Sequence, residues 1–95
     1  MVILIGTHLI NVNSMDNLID LLRKEREVKG ELKHGPLDLK NDRRDFIQEA
    51  TEELLDSLNY LSWAFEKGQL NPDSYLKIDR DLRDATAMLL RGKDG

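Results

Sequence analysis

The sequence predicts an all-α fold, in which three amphipathic helices associate as an oligomeric helical bundle. Apolar residues recur at helical spacing in three segments, and glycine- or proline-containing stretches separate them. A chain of 95 residues without cysteine buries only about 60–65% of the surface that it exposes when unfolded. Three helices with short connections cannot cover their own apolar faces. We therefore expect a homodimer or homotetramer to complete the bundle.

Capping residues set the bounds of the predicted helices. The first runs over about 15–29 and is followed by a loop over 30–40 that holds two glycines and a proline. The second begins near residue 41 or 42 and ends at 67, and the third runs over about 72–91. The residues that mark these ends are Ser14 as an N-cap, Gly30 and Gly68 as helix terminators, and Pro72 in a first turn.

The first fourteen residues form a separate N-terminal arm in this interpretation, and residues 15–95 form one all-α domain. The arm is apolar at its start, and its structure is left unassigned. Three alternatives stay open: a short strand, an arm that pairs with another copy, or an extension ahead of a second start at Met15.

The composition indicates a cytoplasmic protein whose main partner is not nucleic acid. The net charge is −4 and the isoelectric point is near 5.1, whereas nucleic-acid-binding domains are usually basic. No apolar run reaches the roughly 18–20 residues that span a membrane. The apolar start of the chain lacks the basic region and cleavage pattern of a signal peptide.

The charge is concentrated in one segment of the chain. Residues 1–44 and 67–95 each carry a net charge of +1, whereas residues 45–66 hold six acids and no base. At about 100° per residue, the acids at 45, 49, 52 and 56 fall within about 60° of one another, and Glu53 flanks them. Tyr60 and Trp63 continue the same face of the helix.

Two interpretations of this acidic face remain open. It is either the solvated side of an amphipathic helix or a site for a cation. Like charges at i,i+4 repel by a few tenths of a kcal/mol per pair, and this segment has no lysine or arginine to relieve the repulsion. Mg²⁺ is a hard ion that carboxylates hold together with water and substrate phosphates. The aromatic end of the face then suggests a wall for a nucleotide base.

The segment 48–64, QEATEELLDSLNYLSWA, resembles the acidic helix of the MazG-like all-α nucleoside triphosphate pyrophosphohydrolases. That family carries a Glu-x-x-Glu pair on one helix and a Glu-x-x-Asp pair on the next. Glu49 and Glu52 match the first pair, and Glu53 and Asp56 match the second. Both pairs lie on one predicted helix here, which departs from the family pattern. The resemblance covers about residues 35–66, a third of the chain.

The resemblance implies an Mg²⁺- or Mn²⁺-dependent hydrolysis of a nucleoside triphosphate to the monophosphate and pyrophosphate. The metal ligands and catalytic residues would be Glu49, Glu52, Glu53 and Asp56, and the carboxylate that acts as the base is left open. The base and sugar specificity and the number of metal ions are left open as well. The candidate substrate-binding residues are Tyr60, Trp63, Asn59, Arg43 and Arg44, since aromatic rings stack on bases and arginine forks match phosphate oxygens.

The second acidic pair has an alternative location on the third helix. If Glu49 and Glu52 form the first pair, Asp81 and Asp84 have the spacing of the second. They also alternate with Arg80 and Arg83, as expected of a solvated flank. Whether Asp45, Asp81 and Asp84 join the site is therefore left open.

Two non-enzymatic hypotheses compete with the hydrolase. The chain would be a helical oligomer or adaptor without a metal, or its acidic face would bind a basic partner protein. A metal enzyme gains thermal stability from its metal, whereas an adaptor does not. Binding to a basic partner weakens steeply with salt.

We predict that the chain associates at micromolar concentration, because a bundle of three short helices buries too little apolar surface alone. Light scattering coupled to size-exclusion chromatography is expected to report a dimer or a larger species. A well-folded monomer at that concentration would contradict the prediction.

Overall fold

The structure, a computed structural model, describes residues 2–11 and 14–92. Three helices confirm the predicted helical character of the chain. Two compact units are present, one extending through Asp42 and the other beginning at Arg43. The elements in chain order are β1, Val2–Ile5; β2, His8–Asn11; α1, Met15–His34; α2, Phe46–Glu66; and α3, Pro72–Gly92.

Residues 2–11 of the N-terminal arm form a β-hairpin. Strands β1 and β2 pair antiparallel, with Val2 opposite Asn11 and Leu4 opposite Leu9. The two residues between them form a tight turn in which Gly6 has φ of +61°. A glycine with positive φ at the first central position is typical of a type II′ turn, whose twist matches that of the strands. Short strands, one of the alternatives for this segment, are present twice within residues 2–11.

Helix α1 begins where the sequence predicts and ends later. The hydroxyl of Ser14 accepts a hydrogen bond from the Asn17 N–H at 3.2 Å, which is the predicted N-cap. Gly30 was expected to terminate the helix, and this is wrong. The helix continues through Gly30 to His34 and ends at Gly35, whose φ is +85° and whose N–H donates to the Glu31 carbonyl at 2.8 Å.

The extra turn of α1 has an energetic explanation. A glycine inside a helix costs only about 1 kcal/mol relative to alanine, and basic side chains in the last turn stabilise the helix dipole. Lys33 and His34 occupy that last turn. The predicted loop over 30–40 is therefore shorter at its start.

Helix α2 begins later than predicted, at Phe46 instead of residue 41 or 42. Its N-cap is Asp45, whose carboxylate accepts a hydrogen bond from the Gln48 N–H at 3.0 Å. The cap satisfies one of the free N–H groups of the first turn and places a negative charge at the positive end of the helix.

The connection between α2 and α3 follows the predicted signals. Gly68 has φ of +75°, and its N–H donates to the Phe65 carbonyl at 3.0 Å, while the Gln69 N–H donates to the Ala64 carbonyl at 2.8 Å. This is the Schellman pattern of helix ends. Helix α3 then starts with Pro72 in its first position, where a missing N–H costs nothing.

Helices α2 and α3 pack against each other. The rings of Phe65 and Tyr75 stack at 4.6 Å between centroids, at the end of the pair where the chain turns. Thr51 and Thr86 are the buried residues of this unit within the described range, and each hydroxyl donates to the carbonyl four residues before it at 2.7 Å. Among the described residues of this unit, no side chain is fully buried. The helix pair therefore has an interface but no deep apolar core.

Across the described ranges, no helix combines the length and the apolar character that a membrane crossing requires.

The cap of α3 yields a stability prediction. The Asn71 side-chain oxygen accepts a hydrogen bond from the Ser74 N–H at 2.8 Å. Asn71→Ala removes this acceptor and is expected to lower the free energy of unfolding by about 1 kcal/mol. Asn71→Ser keeps a capping oxygen and is expected to stay close to the parent. Urea unfolding followed by circular dichroism measures both, and an equal loss in the two variants would contradict the assigned cap.

Candidate functional site

The four predicted metal ligands all lie on α2. Phe46–Glu66 is helical throughout, so the spacing of three and four residues keeps Glu49, Glu52 and Asp56 on one side of the helix, with Glu53 beside them. All four are exposed. Because a helix advances about 1.5 Å per residue, the four carboxylates follow one another along the helix axis and do not surround one point. We call them the row.

The row differs from the other helices in its lack of ion pairs. On α1 and α3, acids pair with bases three or four residues away, as in Asp20 with Arg23 at 3.3 Å and Asp79 with Arg83 at 2.8 Å. In the part of the chain that the structure describes, none of the four carboxylates of the row forms an ion pair with a lysine or arginine. Their mutual repulsion is therefore not relieved by a neighbouring base.

One neutral side chain contacts the row. Gln48 donates from its amide nitrogen to the Glu52 carboxylate at 3.1 Å. The contact follows from the i,i+4 spacing on a helix, although Gln48 was not among the predicted site residues. A neutral amide orients Glu52 without cancelling its charge.

The row supplies donors of the right chemistry for Mg²⁺ but does not converge. Hard cations prefer several carboxylate oxygens directed at one point. Among residues 2–11 and 14–92, no three acidic or histidine side chains come close enough together to hold a metal ion. Within these ranges the row therefore supplies carboxylate oxygens along one helix, without a set of ligands that converges on one point.

The three acids whose membership was left open have structural partners. Asp45 caps α2 through the Gln48 N–H. Asp81 accepts a hydrogen bond from the Lys77 ammonium at 2.8 Å, and this contact raises the pKa of Lys77. Asp84 pairs with Arg80 at 3.8 Å. Asp81 and Asp84 thus lie on a solvated flank of α3 with their charges paired.

An exposed aromatic pair continues the row toward the C-terminal end of α2. Tyr60 follows Asp56 by one turn, and its ring meets that of Trp63 edge to face at 5.5 Å between centroids. Tyr60 is 68% exposed and Trp63 is 54% exposed. Neither ring belongs to a core of this chain, so the pair is an accessible surface on which a planar ligand or another protein can pack.

The remaining candidates lie beside the row or before the helix. Asn59 is exposed on α2, and Arg43 is exposed ahead of it. The Arg44 guanidinium lies 5.1 Å from the centroid of the Phe46 ring, a cation–π contact at the start of α2. A cation near a helix N-terminus adds to the positive potential there, which favours anions.

Comparison with known proteins gives no relative: no family model, no curated protein and no solved structure matches this chain.

Two tyrosines of the same unit make the site testable. Tyr60→Ala is expected to change the free energy of unfolding by less than about 0.5 kcal/mol, because the ring is exposed. Tyr75→Ala removes the ring that stacks on Phe65 and is expected to cost about 2 kcal/mol. Chemical denaturation measures both. A Tyr60→Ala loss as large as that of Tyr75→Ala would show that Tyr60 belongs to an oligomer core.

Proposed function

We propose that this chain is a metal-dependent nucleoside triphosphate pyrophosphohydrolase that acts in the cytoplasm as a homo-oligomer. The observation that carries the proposal is the row Glu49, Glu52, Glu53 and Asp56, which is exposed and has no basic partner in the described part of the chain. The similarity of segment 48–64 to the MazG-like acidic helix supports the same activity.

The electrostatics of the row favour a bound cation over a merely solvated face. Each close pair of like charges on a helix costs a few tenths of a kcal/mol, and α1 and α3 avoid this cost by alternating acids with bases. A divalent cation supplies the missing positive charge and is matched to carboxylate oxygen. Because one chain provides a row without convergence, the remaining ligands would come from substrate phosphates, water or a second chain.

The surroundings of the row suit a nucleotide. The Tyr60–Trp63 pair offers an exposed aromatic surface one turn from Asp56, and stacking on a ring recognises any nucleobase. Arg43 and Arg44 precede the positive end of α2 and would contact the triphosphate. Asn59 lies between the acids and the aromatic pair in sequence, where its amide would hydrogen-bond the sugar or base.

The proposed reaction is a hydrolysis. Water attacks the α-phosphorus, and the bond from that phosphorus to the oxygen that bridges it to the β-phosphorus breaks. The products are the nucleoside monophosphate and pyrophosphate. The metal, when bound, supplies charge neutralisation at the phosphate oxygens. A carboxylate of the row that is free of metal would accept the proton of the attacking water.

The same observation favours a second candidate, in which the row binds a basic partner protein. Four carboxylates that have no basic partner in the described part of the chain attract lysine- and arginine-rich surfaces as well as metal ions. The two candidates differ in their response to salt and to Mg²⁺. Partner binding weakens as the ionic strength rises, whereas a tight metal site raises the melting temperature at constant ionic strength.

The metal dependence is tested with three matched variants. The parent is expected to melt at a higher temperature in Mg²⁺ or Mn²⁺ and to release pyrophosphate from a panel of nucleoside triphosphates. Glu53→Gln and Asp56→Asn are expected to lose both effects, and to be as stable as the parent or slightly more stable without metal, because each removes a like charge. Asp81→Asn lies outside the row and is expected to keep both.

Differential scanning fluorimetry and pyrophosphate detection make these measurements. An unchanged melting temperature of the parent in both metals, at an ionic strength matched with Na⁺, would rule out the metal site. Equal metal shifts in the parent and in Asp56→Asn would rule out the row as its location.

A further inference from the structure

Helix α1 has an exposed face that is apolar in its first half and basic in its second half. At about 100° per residue, five of its exposed side chains fall within about 80° of one another around the helix. The apolar pair is 48% and 44% exposed, so the single chain does not cover it. We call these five residues the α1 face, and they are Ile19, Leu22, Arg26, Lys29 and Lys33.

Two of the three bases on the α1 face have no acidic partner in the described part of the chain. Lys29 pairs with Glu25 at 3.2 Å, and the other ion pairs of α1 lie outside the face. Arg26 and Lys33 form no ion pair among the described residues, and both are exposed. The single chain therefore leaves positive charge uncompensated on α1, as it leaves negative charge uncompensated on the row.

Helix α2 carries the complementary order on its exposed side. Three acids of the row occupy its first half, and the aromatic pair follows in its second half. These five side chains are all exposed and also fall within about 80° of one another around the helix. They are Glu49, Glu53, Asp56, Tyr60 and Trp63.

The two faces have the same spacing when α2 is read backwards. The five residues of the α1 face are separated by 3, 4, 3 and 4 positions, and the five of α2, taken from Trp63 to Glu49, are separated by 3, 4, 3 and 4 positions as well. This is the spacing of the seam between two packed helices. An antiparallel pair therefore aligns all five positions at once: Ile19 with Trp63, Leu22 with Tyr60, Arg26 with Asp56, Lys29 with Glu53, and Lys33 with Glu49.

The order of polar and apolar residues favours this alignment over a parallel one. In the antiparallel pair, aliphatic side chains pack on the two rings at one end, and bases meet acids at the other end. A parallel pair would set the aliphatic side chains against the carboxylates and leave both sets of charges unpaired. Charge and apolar surface thus select the same orientation independently.

We propose that the α1 face docks antiparallel on the row and the aromatic pair of α2 in a second copy of this chain. Both faces are exposed in the single chain, and each copy carries one of each. A two-fold axis therefore makes the contact twice and closes a dimer. The proposal goes beyond the proposed hydrolysis and does not rest on it, because it requires only the charges and rings of α2. A metal ion at the row would compete with the bases of α1 for the same carboxylates.

Charge reversal on each face tests the pairing, in a buffer with a chelator so that no metal occupies the row. The α1 variant Arg26→Glu/Lys33→Glu and the α2 variant Glu49→Lys/Asp56→Lys are each expected to self-associate about tenfold more weakly than the parent in analytical ultracentrifugation. In an equimolar mixture, the reversed α1 face meets the reversed α2 face, and the two unchanged faces meet each other. Association is therefore expected to return on mixing.

A matched control separates this contact from the effect of net charge. Two substitutions of acid by lysine raise the net charge from −4 to 0, which alone would lower self-repulsion and strengthen association. Asp81→Lys/Asp84→Lys makes the same change on α3 and is expected to associate at least as strongly as the parent. Weakening of this control as large as that of the α2 variant would overturn the proposal.

The mixture distinguishes a contact between copies from one within a chain, once circular dichroism shows that the variants are helical. No recovery on mixing would overturn the proposal. Recovery only when all four substitutions are combined in one chain would place the contact inside that chain, and would overturn it as well.

Trp63 provides a second measurement that needs no substitution, because it is the only tryptophan of the chain. Its ring is 54% exposed in the single chain, and Ile19 of a second copy would cover it. Its fluorescence emission is therefore expected to shift to shorter wavelength as the parent associates with rising concentration. Association without that shift, an emission that does not depend on concentration, or a monomer throughout the micromolar range would each overturn the proposal. Because no metal or nucleotide is present, failure of the hydrolase leaves this result unchanged.

Discussion

The unbalanced charge of α2 is the constraint on which the rest of this molecule depends. A 21-residue helix with several acids and no base is unfavourable unless something else supplies positive charge. Asp45 is stabilised by the helix N-terminus, where it acts as the cap. Glu49 also lies in the first turn, where the helix N-terminus favours a negative charge. Glu52, Glu53 and Asp56 have no such compensation in the described structure, so the positive charge near them has to come from a ligand, a partner or solvent ions.

The packing of α2 against α3 is shallow, and this limits how far a single chain compensates the charge of α2. Where α2 and α3 meet, the buried positions are Thr51 and Thr86, small side chains whose hydroxyls are satisfied within their own helices. Small residues let two backbones approach, but they contribute little apolar burial. The stacked rings of Phe65 and Tyr75 hold the turn end of the pair. A unit built in this way gains stability from any contact that covers its remaining apolar surface.

The sequence predicted those features of the fold that depend on local chemistry. Ser14, Gly68 and Pro72 act where their backbone preferences indicate, because caps are decided within one turn of the chain. Gly30 was misleading, because a glycine terminates a helix only when a positive φ is adopted, and Gly35 adopts it instead. The hairpin was left open because two strands of four residues are too short for alternation to distinguish them from an apolar run.

The candidate site was predictable in its residues and not in its geometry, for a related reason. Periodicity places Asp56 and Tyr60 on one side of a helix, and the structure keeps both exposed. Periodicity along one helix cannot bring the ligands of a metal ion together, because ligands converge on one point only when a second helix or strand approaches the first. Asp81 and Asp84 have the spacing for that role, yet Lys77 and Arg80 neutralise them. If the acidic row binds a metal, its remaining ligands therefore come from outside α2, which makes assembly and catalysis parts of one physical question.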